Sequence, residues 1–130
     1  NGVHYPTWTS SEWKQIHSEV FGDDFQSHNY DKSCFEGIYS VDDQRIWSLR
    51  NKLRRRLIDK IKDTLSNPVS TAHYTPQQIV QIKESLRDDI LTIGFARRFA
   101  TYKRAHLLFT DLVRLDKIVN NPKQPVQFIF

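Results

Sequence analysis

The sequence predicts a mainly α-helical chain that ends with the start of a parallel α/β sheet. Three observations support this fold class. Apolar residues recur at helical spacing through most of residues 9–90, and a short apolar run with β-branched members follows at 91–96. A second apolar run begins at Val126, after a further helical stretch. The order strand, helix, strand is that of a βαβ unit, so we expect the chain to enter a parallel sheet near Leu91.

The first predicted helix has a complete N-terminal signal. Thr9 is the predicted cap, and Glu12 completes a capping box with it. Trp8 can pack against Trp13 across the first turn. Gly22 ends the helix, and the polar residues that follow are predicted to form a loop.

The longest predicted helix follows residues 40–43, Ser-Val-Asp-Asp, which form a second N-terminal signal. Apolar side chains recur along it at helical spacing: Ile46, Leu49, Leu53, Leu57, Ile61 and Leu65. The other positions gather eight of the nineteen basic residues: Arg45, Arg50, Lys52, Arg54, Arg55, Arg56, Lys60 and Lys62. Nucleic-acid binding is one interpretation, but residues 50–62 hold no aromatic side chain for base stacking. A solvated helix face is the favoured interpretation.

Two further helical stretches complete the predicted elements. Pro68 ends the long helix, and Thr75 caps the next one, with Pro76 at its first helical position. Between the two strands a helical stretch is predicted over about 101–120, with a break near Asp111.

Composition and motifs exclude several classes of function. The net charge is +4 and the mean hydropathy is −0.59, and no apolar run approaches the roughly 18 residues that cross a bilayer. No secretory signal is visible, so we predict a cytoplasmic location and no membrane partner. Cys34 is the only cysteine and predicts neither a disulfide nor a zinc site. The histidines lack metal-ligand spacing, and no nucleophile elbow or phosphate-binding glycine loop occurs.

The two ends of the sequence predict an internal fragment. The chain begins Asn1-Gly2-Val3 without a methionine. Its last residues, from Val126 to Phe130, form an apolar run that is typical of a buried strand awaiting its continuation.

The sharpest chemical feature is a cluster of cations directly after the first strand. Arg97, Arg98, Lys103 and Arg104 follow it within ten residues. Ligands of open α/β sheets bind outside the carboxyl ends of the strands, and a helix starting near Thr101 would point backbone N–H groups at an anion. Arginine and lysine suit phosphate oxygens, so the cluster is a candidate site for a dianion or for paired phosphates. A solvated basic rim remains the alternative interpretation.

Residues 93–105, Ile-Gly-Phe-Ala-Arg-Arg-Phe-Ala-Thr-Tyr-Lys-Arg-Ala, resemble the phosphate-site motif of α-glucan phosphorylases. The core of the motif is a basic pair, three residues and then Tyr-Lys-Arg, in a form similar to the shorter bacterial and archaeal enzymes. Asn1-Gly2-Val3 followed by Trp8 is similar to the family's segment at the glucose subsite. Residues 39–43 and 125–130 resemble further family segments, whereas the middle of the chain matches by order more than by identity.

This resemblance implies a fold and a division into domains. The family has two facing Rossmann-like domains, which form the GT-B glycosyltransferase fold. Residues 1–90 would be the end of the N-terminal domain together with a helical interdomain region. Residues 91–130 would be the truncated start of the C-terminal Rossmann-like domain.

The resemblance also implies an activity, which is the reversible phosphorolysis of α-1,4-glucan (glycogen, starch or maltodextrin) to glucose 1-phosphate with pyridoxal 5′-phosphate as cofactor. Arg98 and Lys103 would bind the substrate phosphate. Arg97 would lie near the cofactor phosphate, where the family usually has a lysine, and Asn1 would hydrogen-bond a glucosyl hydroxyl. The family's Schiff-base lysine lies downstream of Phe130, so the fragment alone is expected to be inactive. The implied partners are the glucan and phosphate, with a homodimer for the full-length enzyme.

Two other classes remain as alternatives. A nucleotide-sugar glycosyltransferase of the same fold, similar to glycogen synthase, also places an arginine and a lysine on a donor phosphate. Its usual spacing differs and lacks Tyr-Lys-Arg. A basic helical module that binds nucleic acid through the long helix is less favoured, and salt-sensitive affinity for generic DNA or RNA would distinguish it.

Overall fold

The computed structural model describes residues 4–27 and 32–130 of the chain. Its helices and strands are α1 (Tyr5–Trp8), α2 (Ser11–Phe21), α3 (Asp43–Thr64), α4 (Pro76–Ser85), β1 (Leu91–Gly94), α5 (Leu112–Val119) and β2 (Val126–Ile129). The predicted fold class is confirmed at this level, because the described residues are mainly helical and carry a small parallel sheet. The chain divides into two units, Asn1–Arg50 and Asn51–Phe130, whereas the division at residue 90 into the domains of a longer enzyme stays a prediction.

The cap of α2 lies one residue later than the sequence predicts. The hydroxyl of Ser10 accepts a hydrogen bond from the backbone N–H of Trp13 at 3.3 Å. Thr9 instead closes the short helix α1, whose first turn contains Pro6. The prediction of Thr9 as the cap was wrong because Thr9 is already the C-cap of this extra turn, with its N–H donating to the carbonyl of Tyr5. Gly22 ends α2 as predicted, with a φ of 84°.

Aromatic rings packed around His17 form much of the first unit. The centroid of the imidazole lies 5.3–5.9 Å from the ring centroids of Tyr5, Trp13, Phe21 and Phe25. The hydroxyl of Tyr5 is 3.0 Å from Nδ1 of His17, which gives the half-buried ring a polar partner. Among the described residues, the buried hydrophobic side chains of this unit are Ile16, Phe25, Val41 and Leu49.

The loop predicted for residues 23–32 contains one 3₁₀ turn, Phe25–Ser27, and its residues 28–31 lie outside the described residues. A second 3₁₀ segment, Lys32–Ser40, follows and packs on α2. A Cβ added to Gly37 would lie 2.8 Å from both the carbonyl oxygen and a side-chain methyl of Val20, so only glycine allows this approach.

The two helices that follow begin where the sequence predicts. Asp42 caps α3 through a hydrogen bond from the backbone N–H of Arg45 to its carboxylate at 3.1 Å. At α4 the capping box is complete, because the N–H of Gln78 donates to the hydroxyl of Thr75 at 3.2 Å and the N–H of Thr75 donates to the Gln78 amide oxygen at 2.8 Å. The long helix ends at Thr64, one turn before the predicted stop.

The two strands pair in parallel, in a register that runs from Leu91 opposite Val126 to Gly94 opposite Ile129. The strand–helix–strand order is confirmed. The predicted burial of β1 is wrong for this chain, because the side chains of Leu91 and Ile93 are 56% and 43% exposed. Among the described residues of the second unit, the buried hydrophobic side chains are Ile58 and Ile90.

The connection between the strands is less helical than predicted. Two 3₁₀ turns, Thr101–Lys103 and Ala105–Phe109, occupy its first half. The only α-helix in this connection, α5, starts after the predicted break, where Asp111 accepts a hydrogen bond from the N–H of Arg114 at 2.9 Å. The prediction of one helical stretch failed because Arg104 adopts a left-handed backbone conformation, with a φ of 54°, which an α-helix cannot contain.

Candidate anion-binding site

The cationic cluster lies where the chain leaves the carboxyl end of β1. The N–H of Phe95 still donates to the carbonyl of Ile129 at 2.8 Å, which extends the ladder by one bond, and the strand does not continue beyond it. An open pocket of about 570 Å³ lies at this end of the strand. Its lining residues are Gly94, Phe95, Ala96, Arg97, Tyr102 and Lys103. The pocket therefore occupies the position at which open α/β sheets bind ligands.

Lys103 is the cation of this pocket whose position is fixed by identifiable contacts. Its side chain is half-buried, and its Nζ lies 4.6 Å from the centroid of the Tyr102 ring. Such a cation–π contact contributes about 0.5–1 kcal/mol at a solvent-accessible site. The backbone N–H of Lys103 also donates to the carbonyl of Ala100 at 2.8 Å. The ammonium is thus held at the pocket by its own short 3₁₀ turn and by the neighbouring ring.

The other predicted site residues fall into three groups. Arg97 lines the same pocket as Lys103, with its side chain exposed to solvent. Arg98 is also exposed, but its side chain does not line this pocket. Arg104 lines a different, apolar cavity. Asn1 lies outside the described residues. The structure therefore brings Arg97 and Lys103 together, and it does not bring Arg98 to them.

The predicted helix N-terminus at this site is not present. Only a three-residue 3₁₀ turn begins at Thr101. The N-terminus of α5 is already occupied by the carboxylate of Asp111. An anion in this pocket would therefore be bound by side-chain cations and not by a helix dipole.

The charges of the cluster are not neutralised within the described part of the chain. No carboxylate among these residues forms an ion pair with Arg97, Arg98, Lys103 or Arg104. None of the residues lining the pocket is acidic. A positive pocket without a counter-charge attracts an anionic ligand, and phosphate oxygens match both arginine and lysine.

The basic long helix contrasts with this cluster, because several of its arginines have acidic partners. Arg45 forms an ion pair with Glu19 at 2.5 Å, and Arg55 forms one with Asp88 at 2.6 Å. The hydrogen bond from Arg55 holds the pKa of the Asp88 carboxyl below its usual value. Arg54 donates to the backbone carbonyl of Asp88 at 2.6 Å.

Asp88 has a structural role that its own neighbourhood in the sequence does not indicate. It joins the turn before β1 to α3 through Arg54 and Arg55. No local pattern could have shown this, because the partners are 33 and 34 positions apart. Asp89 next to it forms an ion pair with Arg87, which lowers the pKa of Asp89.

Two kinds of arrangement are absent from the described residues. Within 4–27 and 32–130, no group of three or more histidine, cysteine, aspartate or glutamate side chains is arranged to hold a metal ion. In the same residues, no helix combines the length and the apolar character needed to span a bilayer.

The fold and the site together define a mainly helical segment with a small parallel sheet and a basic pocket at the carboxyl end of its first strand. Comparison with known proteins finds relatives of one kind. The chain is 39% identical over 130 residues to the glycogen phosphorylase of Aquifex aeolicus, a match that covers 100% of this chain and 19% of that protein. It is 38% identical over 133 residues to the maltodextrin phosphorylase of Thermococcus litoralis, covering 100% of this chain and 15% of that protein.

A third relative extends the same result. The glycogen phosphorylase of Mycobacterium tuberculosis is 31% identical over 129 residues, covering 99% of this chain and 15% of that protein. No family model matches the chain, and no solved structure matches it. The chain is thus similar over its whole length to glycogen and maltodextrin phosphorylases, and it spans 15–19% of the length of these relatives.

Proposed function

We propose that the chain is part of an α-glucan phosphorylase that cleaves α-1,4-glucan with inorganic phosphate, reversibly, to form glucose 1-phosphate. The observation that carries this proposal is the basic pocket after β1, which Arg97 and Lys103 both line and which has no acidic partner in the described part of the chain, in a chain 39% identical to a glycogen phosphorylase. The nucleotide-sugar glycosyltransferase is not favoured, since the named relatives are phosphorylases. The complete enzyme would have the GT-B fold, act in the cytoplasm and form a homodimer.

The cations of the pocket would bind and orient the substrate phosphate. Lys103 supplies a point charge that is already held at the pocket by Tyr102. Arg98 supplies a planar fork, and its exposed side chain has the rotational freedom to swing onto a bound anion. The fixed positive charges hold the phosphate dianion beside the departing sugar, where the negative charge of the phosphate stabilises the developing oxocarbenium-like cation. Asn1 would hydrogen-bond a hydroxyl of the glucosyl unit.

The pocket also fits a second phosphate, that of pyridoxal 5′-phosphate. Arg97 lines the pocket together with Lys103, and none of the lining residues is acidic. Arg97 would hold the cofactor's phosphate. When bound, the cofactor would supply a second dianion beside the substrate phosphate, and the basic cluster would balance the combined charge. The lysine that forms the Schiff base in this family is expected outside these 130 residues.

The experiment is an assay of glucose 1-phosphate release from maltodextrin and phosphate by the full-length protein that contains this chain. We expect Lys103→Ala and Arg98→Ala each to lower turnover by about 10²–10³-fold, as the loss of one preorganised charge contact does elsewhere. Arg114→Ala, which removes an exposed arginine of α5 outside the pocket, should leave turnover within about twofold.

Three outcomes would contradict the proposal. Full activity of both Arg98→Ala and Lys103→Ala would reject the assignment of these two residues to the substrate phosphate. Transfer of glucose from a nucleotide sugar by wild-type protein, without phosphorolysis, would favour the glycosyltransferase. Turnover of maltodextrin by the 130-residue chain alone would contradict the proposal that these residues are only part of the catalytic unit.

A further inference from the structure

Arg104, the residue after Lys103, has an unusual backbone. It is the one non-glycine position among the described residues with a positive φ, with φ 54° and ψ 30°. L-residues rarely adopt this left-handed conformation, because Cβ approaches the following carbonyl. It persists where neighbouring contacts impose it, and such positions concentrate at functional sites.

Hydrogen bonds on both sides of Arg104 impose this conformation. Its N–H donates to the carbonyl of Thr101 at 3.2 Å and closes the turn that contains Lys103. Its own carbonyl accepts from the N–H of Leu107 at 3.1 Å and opens the next turn. Arg104 thus ends one 3₁₀ turn and begins another, and the chain changes direction at this residue.

The change of direction separates two environments. Before it, Lys103 lines the basic pocket. After it, Leu107 and Leu108 line an apolar cavity of about 370 Å³ together with Phe128. The side chain of Arg104 lines this apolar cavity and not the basic pocket. The guanidinium of Arg104 is therefore not a member of the anion pocket, although the residue adjoins it in sequence.

We propose that Arg104 is a positioning residue for Lys103, and that its left-handed backbone, not its charge, keeps the ammonium in the phosphate pocket. A right-handed residue at this position would continue the turn Thr101–Lys103 and displace this turn, with Lys103, from its place beside Arg97. The inference rests on the proposed function, because the anion is taken to be the phosphate of a phosphorylase.

The test compares Arg104→Gly with Arg104→Val in the full-length protein. Three quantities are measured: the KM for phosphate, the KM for glucan, and the Kd for inorganic phosphate by calorimetry. Glycine adopts the left-handed conformation freely, so Arg104→Gly should change the phosphate constants by at most about twofold. Valine is branched at Cβ and disfavours the left-handed conformation. Arg104→Val should therefore raise the KM and Kd for phosphate by about tenfold, with the KM for glucan nearly unchanged.

Matched controls are available in α5. Arg114 lies within a helix, where glycine is less favourable than valine, so Arg114→Gly should lower the melting temperature more than Arg114→Val. Neither variant should alter phosphate binding. Thermal melting also shows whether each Arg104 variant folds. If Arg104→Val does not melt cooperatively, Arg104→Ala replaces it, with the same direction of change expected.

Each remaining result overturns the inference or separates it from the proposed function. Equal losses in Arg104→Gly and Arg104→Val would assign the effect to the guanidinium, and unchanged phosphate binding in Arg104→Val would reject a positioning role. Parallel rises in both KM values would indicate general damage. If wild type binds phosphate without phosphorolysis, the proposed function fails, while the calorimetric comparison still decides the role of Arg104. If wild type binds no phosphate, both the proposed function and the positioning role of Arg104 are rejected.

Discussion

At the scale of single residues, the pairing of charges distinguishes structural cations from candidate functional ones. Arg45, Arg55 and Arg87 each have a carboxylate partner at 2.5–2.6 Å. Lys103 and Arg97 have none among the described residues and share a pocket instead. Exposed ion pairs contribute little to stability. Removal of a paired arginine should therefore change the free energy of unfolding only slightly, whereas removal of Lys103 should strongly weaken phosphate binding.

His17 makes the stability of the first unit depend on pH. Burial among aromatic rings lowers the pKa of His17 below its ordinary value of 6.5, so the folded state favours the neutral ring. The unfolded chain then binds more protons in this range, and stability is complete above about pH 6.5 and falls as the pH drops through the folded pKa. Trp13, whose ring lies 5.6 Å from His17, reports the change through its fluorescence.

We therefore expect the midpoint of urea unfolding, followed by this fluorescence, to be lower at about pH 5.5 than at about pH 7.5. His17→Gln keeps a polar partner for Tyr5 but does not titrate, so it should lose most of this dependence. His73→Gln, at an exposed histidine of the second unit, should keep it. An unchanged pH dependence in His17→Gln would show that other groups cause it.

At the scale of elements, the first cap gives a direct comparison between the sequence pattern and the structure. Ser10→Ala should lower the free energy of unfolding by about 1 kcal/mol, because it removes the acceptor for the N–H of Trp13. Thr9→Ala should change it by only a few tenths of a kcal/mol, since its side chain caps no helix here. Chemical denaturation of both variants measures the difference, and a larger loss in Thr9→Ala would restore the capping box that the sequence predicts.

Local patterns predicted the elements well where the signal and the partner lie close in sequence. The capping box of Thr75 and the stop at Gly22 depend on neighbours within a few residues. The misplaced cap at Thr9 arose because a preceding turn competed for the same residue. The left-handed Arg104 had no sequence signal, since neither glycine nor asparagine occupies the position.

Part of the candidate site was predictable because its signal is also local in the sequence. Its cations follow β1 directly, so their place at the carboxyl end of the strand follows from the sequence order. Which of the cations share the pocket does not follow from the sequence order, because it depends on turns that only tertiary contacts determine. The predicted partner of Lys103 was Arg98, yet Arg97 is the arginine that lines the pocket with it.

At the scale of the whole molecule, the second unit exposes apolar side chains along its sheet. Leu91, Ile93 and Phe130 are 43–56% exposed. Patches of this kind, next to unpaired strand edges, promote association between chains. In a complete phosphorylase, further parts of the polypeptide would cover this surface.

The 130-residue chain by itself should therefore self-associate. Sedimentation velocity should show a sedimentation coefficient that rises with concentration, and Ile93→Lys should reduce this rise by placing a charge on the exposed strand. Val69→Lys changes a side chain that is 86% exposed but lies in a turn outside the sheet, so it should have little effect. A monomer at all concentrations would show that the exposed sheet does not drive association.

The central claim is that this chain carries the phosphate pocket of an α-glucan phosphorylase. The most direct measurement follows glucose 1-phosphate when the full-length wild-type protein is incubated with maltodextrin, with and without inorganic phosphate. We predict that glucose 1-phosphate forms only when phosphate is present, and that its phosphorus comes from the added phosphate. Release of free sugar without incorporation of phosphate, or no reaction in the presence of both substrates, would contradict the account.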